Sequence, residues 1–310
     1  MTVEDARIVD DVVRRLGAAA SSSTPLSGVV NRVHRVQGDG FDWVVRLPVE
    51  RGHDDAYPRE AWAIGAAQRA GIPVADVVAT GVEAGVPFLV ARYVAEVGQV
   101  ADPWRWLGAY ARDLARIELD GAPTDLFTRF GRDLAEAWRA HLDYNLACLG
   151  AADRLLVDGA YDAADQPVLA RAIRALRERP FTFGLAHGDL APRNLVARGT
   201  DVPVLIDWGN VTTGPTPWTD VQRVFVWAVC HRTITWAEFD ELARAAGLDG
   251  PDDVATLAAM TILQLLDVVR WAADRRPDLY DRYRDECRTG LARVLRLLAS
   301  DANGHPRLGR

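Results

Sequence analysis

His187-Gly188-Asp189-Leu190-Ala191-Pro192-Arg193-Asn194, with Leu205-Ile206-Asp207-Trp208 a short way downstream, is the stretch whose reading decides the fold. Between the two pieces lie the apolar runs Leu195-Val196-Ala197 and Val202 to Ile206, around the turn residues Arg198-Gly199-Thr200-Asp201. Apolar runs flanking a glycine-containing polar turn predict a hairpin, and its ends would hold Asn194 and Asp207 at one mouth. An aspartate in the position of Asp189 can accept or orient the proton of an attacking hydroxyl. Asn194 and Asp207 offer hard oxygens of the kind Mg²⁺ prefers, and Mg²⁺ takes few ligands from protein. Either piece alone reads equally well as a surface turn or a strand end. Together, at this spacing with strands between, they satisfy what phosphoryl transfer requires: a positioned nucleophile and neutralised phosphate oxygens.

Working outward, the periodicity changes character near residue 100. Residues 3–16 predict a helix with Ile8, Val9, Val12, Val13 and Leu16 on one face, broken by the polar run Ser21-Ser22-Ser23-Thr24-Pro25. Strands are expected over 28–36 and 41–47, joined at Gly38-Asp39-Gly40, and over 74–80 and 86–94, joined at Glu83-Ala84-Gly85. A helix over 58–70 ends at Gly71 with Pro73 beyond it. From 103 to 178, and again from 217 to 299, the pattern is helical. The expectation is therefore an α+β chain with a small β-rich N-terminal lobe, residues 1–92, and a larger helical C-terminal lobe, residues 93–310.

Composition narrows the class. With 49% hydrophobic and 25% charged residues the 310-residue chain is globular rather than disordered. A net charge of −7 argues against a phosphate-backbone binder, so no nucleic-acid partner is expected. No apolar run of membrane-spanning length is apparent and the first residues lack a signal-peptide pattern, so no membrane partner and a cytoplasmic location are expected. Cys148, Cys230 and Cys287 lie far apart without metal or redox spacing, which reads as free thiols. The chain contains no lysine; every basic residue is arginine.

The H-G-D-x-x-x-x-N loop at 187–194 and the I-D-W motif at 206–208 resemble those of the aminoglycoside phosphotransferase-like family, antibiotic kinases with the protein-kinase-like two-lobed fold. The resemblance implies Asp189 as the catalytic base and Asn194 and Asp207 as Mg²⁺ ligands. His187 would be a loop-organising residue rather than a base, and Asp220 a brace for the loop. It further implies that Arg46 stands where kinases carry a strand lysine, with Glu60 as its helix partner, and that Ser27 and Gly28 lie near the β- and γ-phosphates. Ala91, Arg92, Tyr93 and Val94 would form the hinge that hydrogen-bonds the purine of ATP or GTP through its backbone.

The expected activity is phosphorylation of a hydroxyl on a small-molecule acceptor, with no oligomer required. An antibiotic of aminoglycoside, basic-peptide or macrolide type, modified for resistance or self-protection, is the first reading. A metabolic kinase acting on an amino alcohol, a sugar or homoserine is the second, and a nucleotide-binding pseudokinase the third; the complete Asp189, Asn194 and Asp207 set argues against that last reading. No substrate residue is assigned. Acidic residues are frequent from 102 to 143 (Asp102, Asp113, Glu118, Asp120, Asp125, Asp133, Glu136, Asp143), and an acidic cleft among them would suit a polycation. Residues 208–220 are too short for an activation segment that docks a polypeptide.

Overall fold

The computed structural model describes residues 3–26, 31–49, 56–150, 152–250 and 252–301. Two units emerge. The first comprises Met1–Ala101, Leu119–Leu126 and Arg193–Val211, and the second Asp102–Glu118, Phe127–Pro192 and Thr212–Arg310. This differs from a single break at 92/93, and the backbone gives the reason. Leu205 N–H donates to the Pro73 carbonyl at 2.9 Å and Val97 N–H to the Ala197 carbonyl at 2.8 Å, so the segment after Asn194 belongs with the first unit.

The first unit is built on a five-stranded antiparallel sheet: β1 (Ala20–Leu26), β2 (Asn31–Gly38), β3 (Phe41–Pro48), β4 (Val77–Glu83) and β5 (Val86–Arg92), in the order β1-β2-β3-β5-β4. Helix α1 (Val3–Arg15) lays Ile8, Val9, Val12 and Val13 on one face of that sheet, against Val36, Val45, Leu47, Phe88 and Val90, all buried. Each such side chain contributes roughly 1.5–3 kcal/mol by leaving water. Helix α2 (Ala56–Arg69) connects β3 to β4. The polar run 21–25, expected to be a break, is strand β1, with Ser23 opposite Val36 and Thr24 opposite Arg35. It is an exposed edge strand, so it has no buried face to impose an apolar alternation, and an edge accommodates Pro25.

The second unit is helical: α3 (Pro103–Leu114), α4 (Leu134–Cys148), α5 (Arg154–Val157), α6 (Gln166–Glu178), α7 (Trp218–Val226), α8 (Trp236–Ala246), α9 (Asp253–Arg275) and α10 (Tyr280–Asp301). A two-stranded ribbon pairs β6 (Phe183–Ala186) with β9 (Thr212–Pro215); β7 (Leu195–Val196) and β8 (Val204–Leu205) form the hairpin of the first unit. α3 crosses α8 at Gly108, where a Cβ would lie 2.1 Å from the Leu242 carbonyl oxygen. Only glycine lets the backbones approach that closely. α9 packs against α6, α7 and α10 and buries Leu257, Ile262, Leu266 and Val269. Contrary to the sequence expectation, this helix is long and apolar enough by composition to cross a membrane. Its apolar window is 61% buried inside the protein, the pattern of a core helix.

Candidate active site

In the second unit, β6 runs directly into His187 and the loop that follows. The loop is held by its backbone rather than by packing alone. His187 N–H donates to Asp220 Oδ2 at 3.0 Å and Gly188 N–H to Asp220 Oδ1 at 2.7 Å. Asp220, on the first turn of α7, is 1% exposed. Burial pushes its carboxyl up to about 6, against the pull of the two amides and of Arg223, which favour the charged form. Gly188 has φ 80°, a left-handed conformation that tolerates glycine best. The buried His187 ring accepts the Asp189 N–H on Nδ1 at 3.3 Å, so it organises the turn that presents half-buried Asp189.

In the first unit, β7 and β8 pair with Leu195 opposite Leu205 and Val196 opposite Val204. Ile206 N–H donates to the Asn194 carbonyl at 2.9 Å, so Asn194 and Asp207 stand at the same end of the hairpin. Asp207 has φ 63° and immediately precedes the short 3₁₀ turn Trp208–Asn210. Trp208 is buried, with its indole N–H on the Leu205 carbonyl at 3.2 Å. Among the described residues no cluster of three or more His, Cys, Asp or Glu could hold a metal. One asparagine and one aspartate at a hairpin end nevertheless fit Mg²⁺, which keeps several waters and substrate oxygens as ligands.

The same unit joins Arg46 to both carboxylates. One guanidinium nitrogen of Arg46 bonds Glu60 Oε1, and the other lies 3.6 Å from Asp207 Oδ1. Glu60, from α2, has a side chain only 2% exposed while that of Asp207 is 49% exposed. Burial raises the Glu60 carboxyl; Arg46 and the Trp208 backbone amide pull it back towards ionisation. A planar guanidinium can bridge two acids in a way a single ammonium cannot. Sequence reading did not single out Arg59, whose guanidinium donates to the Gly209 carbonyl at 3.4 Å and the Asp125 carbonyl at 3.3 Å.

In the segment expected to form the hinge, Ala91 is buried opposite Val44 in β3. Arg92 N–H donates to the Asp76 carbonyl at 2.8 Å and Tyr93 N–H to the Asp42 carbonyl at 2.9 Å. Arg35 lies 3.8 Å over the Tyr93 ring. Both amides are thus committed within the unit, which leaves Val94 as the first candidate donor to a base. Ser27 and Gly28 lie outside the described residues.

The second unit also contains a cavity of about 230 Å³ between α4, α7, α9 and β9. Leu134, Trp138, Phe183, Met260 and Leu263 supply apolar wall, and His141, Gln222, Arg223, Gln264 and Asp267 the polar part. None of the acidic residues noted between 102 and 143 lines it. Asp143 instead pairs with Arg177, and most of the others are exposed. His141 bonds Asp267 Oδ2 through Nε2 at 2.6 Å and stacks on Phe130. No local pattern joins residues 126 positions apart, so sequence carried no signal for this pair.

The fold is that of the protein-kinase-like phosphotransferases, a β-sheet lobe and a helical lobe. The chain belongs to the phosphotransferase enzyme family, APH, whose sequence model matches residues 23–260. Among solved structures it is similar to the macrolide 2′-phosphotransferase MphH of Brachybacterium faecium, at 19% identity and TM-score 0.60 over 93% of this chain and 98% of that one. The aminoglycoside phosphotransferase APH(4)-Ia aligns at 16% identity and TM-score 0.58, over 93% and 98%. The spectinomycin phosphotransferase APH(9)-Ia, solved with ADP and spectinomycin, aligns at 10% identity and TM-score 0.52, over 92% and 96%. Comparison with curated proteins finds no match.

Proposed function

We propose that this protein is a nucleoside-triphosphate-dependent O-phosphotransferase of the cytoplasm that phosphorylates a hydroxyl of a small-molecule antibiotic, giving resistance or self-protection. The bracing of His187 and Gly188 by Asp220 carries this reading, because a loop fixed at its backbone presents Asp189 as a positioned base. Asn194 and Asp207 hold Mg²⁺, which when bound neutralises charge on the transferring phosphoryl group. Arg46, oriented by Glu60, meets the nucleotide phosphates, as do Ser27 and Gly28. The hinge Ala91–Val94 takes the purine, with Val94 as the donor because the Arg92 and Tyr93 amides are already used. Membership of the phosphotransferase family, and neighbours that carry ADP or an antibiotic, support the same reading.

The test is nucleotide consumption by the purified protein with Mg²⁺, ATP or GTP and a panel of antibiotics and small alcohols, followed by mass analysis of the acceptor. Asp189→Ala should lower kcat by roughly 10²–10⁴-fold while leaving nucleotide affinity in place. Unchanged turnover in that variant would remove the catalytic assignment.

A further inference from the structure

Asp207 stands at φ 63° and ψ 66°, a left-handed conformation that a residue other than glycine keeps only when its surroundings impose it. Its side chain is 49% exposed, so packing does not decide where the carboxylate points. That falls to the turn Trp208–Asn210 behind it. Trp208 anchors the start of the turn through its buried indole, but Gly209 has no side chain to anchor the middle. A Cβ on Gly209 would meet only Arg46 and Asp207 themselves within 4 Å.

The missing anchor comes from α2, all within the first unit. Two consecutive residues of that helix, Arg59 and Glu60, take the turn by its backbone. The Glu60 carboxylate faces the Trp208 amide, which belongs to the peptide plane that leaves Asp207. Arg59 donates from one terminal nitrogen to the Gly209 carbonyl at 3.4 Å. Its other terminal nitrogen donates to the Asp125 carbonyl at 3.3 Å, in the short turn Thr124–Leu126. One guanidinium thus joins α2, the Thr124–Leu126 turn and the turn behind Asp207. Both supports are firm, since Leu126 is buried on one side and Ala63, Ile64 and Ala67 of α2 on the other. The Arg59 Nε–H is buried and makes no hydrogen bond among the described residues, so the side chain is set by the two carbonyls. A guanidinium presents diverging donors in one plane, which a single ammonium does not.

The geometry points to Arg59 as a positioning residue of the metal site: by holding the Gly209 carbonyl it sets the turn that aims Asp207 at Mg²⁺. It acts through the backbone of the turn and not on the metal. The inference rests on the reading of Asp207 as a Mg²⁺ ligand and deepens it, because partners behind a ligand govern metal affinity by orienting it.

The test titrates the full chain with Mn²⁺, a paramagnetic stand-in for Mg²⁺, followed by electron paramagnetic resonance with the non-hydrolysable analogues of ATP and GTP in parallel. The wild type should bind Mn²⁺ with at least one analogue, and Asp207→Ala should not. Arg59→Met, similar in length and without donors, should weaken Mn²⁺ binding roughly 10- to 100-fold. Its calorimetric affinity for the same analogue in EDTA should stay as it was. Arg59→Lys, which can serve one carbonyl, should fall between the two. A merely structural arginine would lower the melting temperature and leave Mn²⁺ affinity untouched. Wild-type Mn²⁺ affinity in both Arg59 variants would therefore overturn the inference and leave Asp207 as a ligand. An equal loss of analogue affinity in EDTA would also overturn it, by placing Arg59 at the phosphates. Mn²⁺ binding that is absent from the wild type, or that survives Asp207→Ala, would reject the metal reading and the inference with it. If Arg59→Met does not fold, Arg59→Lys decides alone: weakened Mn²⁺ binding supports the inference, and wild-type binding overturns it.

Discussion

Asparagine in place of Asp220 preserves shape and removes a charge, and the consequences depend on pH in a way that can be calculated. The Asp220 carboxyl is pushed up to about 6 in the folded protein, from an ordinary value of 3.8. Because the folded value is the higher one, the native state holds the proton where the unfolded chain has lost it. Stability contributed by this group is therefore complete below the unfolded value and falls as pH rises towards the folded one. The full loss is about 3 kcal/mol, of which roughly half falls between about pH 5 and about pH 8. Asp220→Asn carries no such dependence. Its single oxygen can serve His187 N–H or Gly188 N–H but not both, and leaving one buried amide unpaired costs about 1–3 kcal/mol. The variant should thus be clearly less stable than the wild type near pH 5 and closer to it near pH 8. Urea unfolding followed by tryptophan fluorescence reads this directly, and kcat should fall at both pH values because the loop is held at one point instead of two. A stability difference that is flat with pH, or that widens towards pH 8, would refute the reasoning.

Glu60→Gln removes the buried charge that Arg46 is bonded to, and should cost about 1–3 kcal/mol in thermal or urea unfolding while raising KM for the nucleotide more than KM for the acceptor. Gly108→Ala places a methyl 2.1 Å from the Leu242 carbonyl oxygen, so α3 and α8 must separate; a loss of about 1–3 kcal/mol with unchanged KM values is expected from urea titration and steady-state kinetics. Burial pushes the Cys230 thiol up to about 11 and Cys287 up to about 12, whereas Cys148 is half-buried. A disulfide-exchange reagent should therefore modify Cys148 alone in the native protein and all three thiols in denaturant, as counted by absorbance.

The parts of this molecule legible in the sequence are those governed by local rules. α1 declared itself through Ile8, Val9, Val12 and Val13, and the β7–β8 hairpin through two apolar runs around Gly199, because periodicity and turn chemistry act over a few residues. The loop at 187–194 was legible because its chemistry is compressed into eight positions. β1 was not, since an edge strand with both faces in water imposes no alternation on Ser21–Thr24. The unit boundary also escaped, because the hydrogen bonds from Leu205 to Pro73 and from Val97 to Ala197 join segments about a hundred residues or more apart. The cavity was the least legible. Acidic residues from 102 to 143 suggested a site by their frequency, yet its one carboxylate is Asp267, far downstream and paired with a histidine 126 positions earlier.

Arg46 carries a practical consequence for finding such proteins. Reactive acyl-phosphate nucleotides mark kinases by transferring their acyl group to a side-chain amine beside the phosphates. This chain contains no lysine, and the position opposite Glu60 is filled by a guanidinium spread between two acids. Such a reagent would occupy the site and leave no label. Inventories of kinases compiled by that chemistry would pass over this protein.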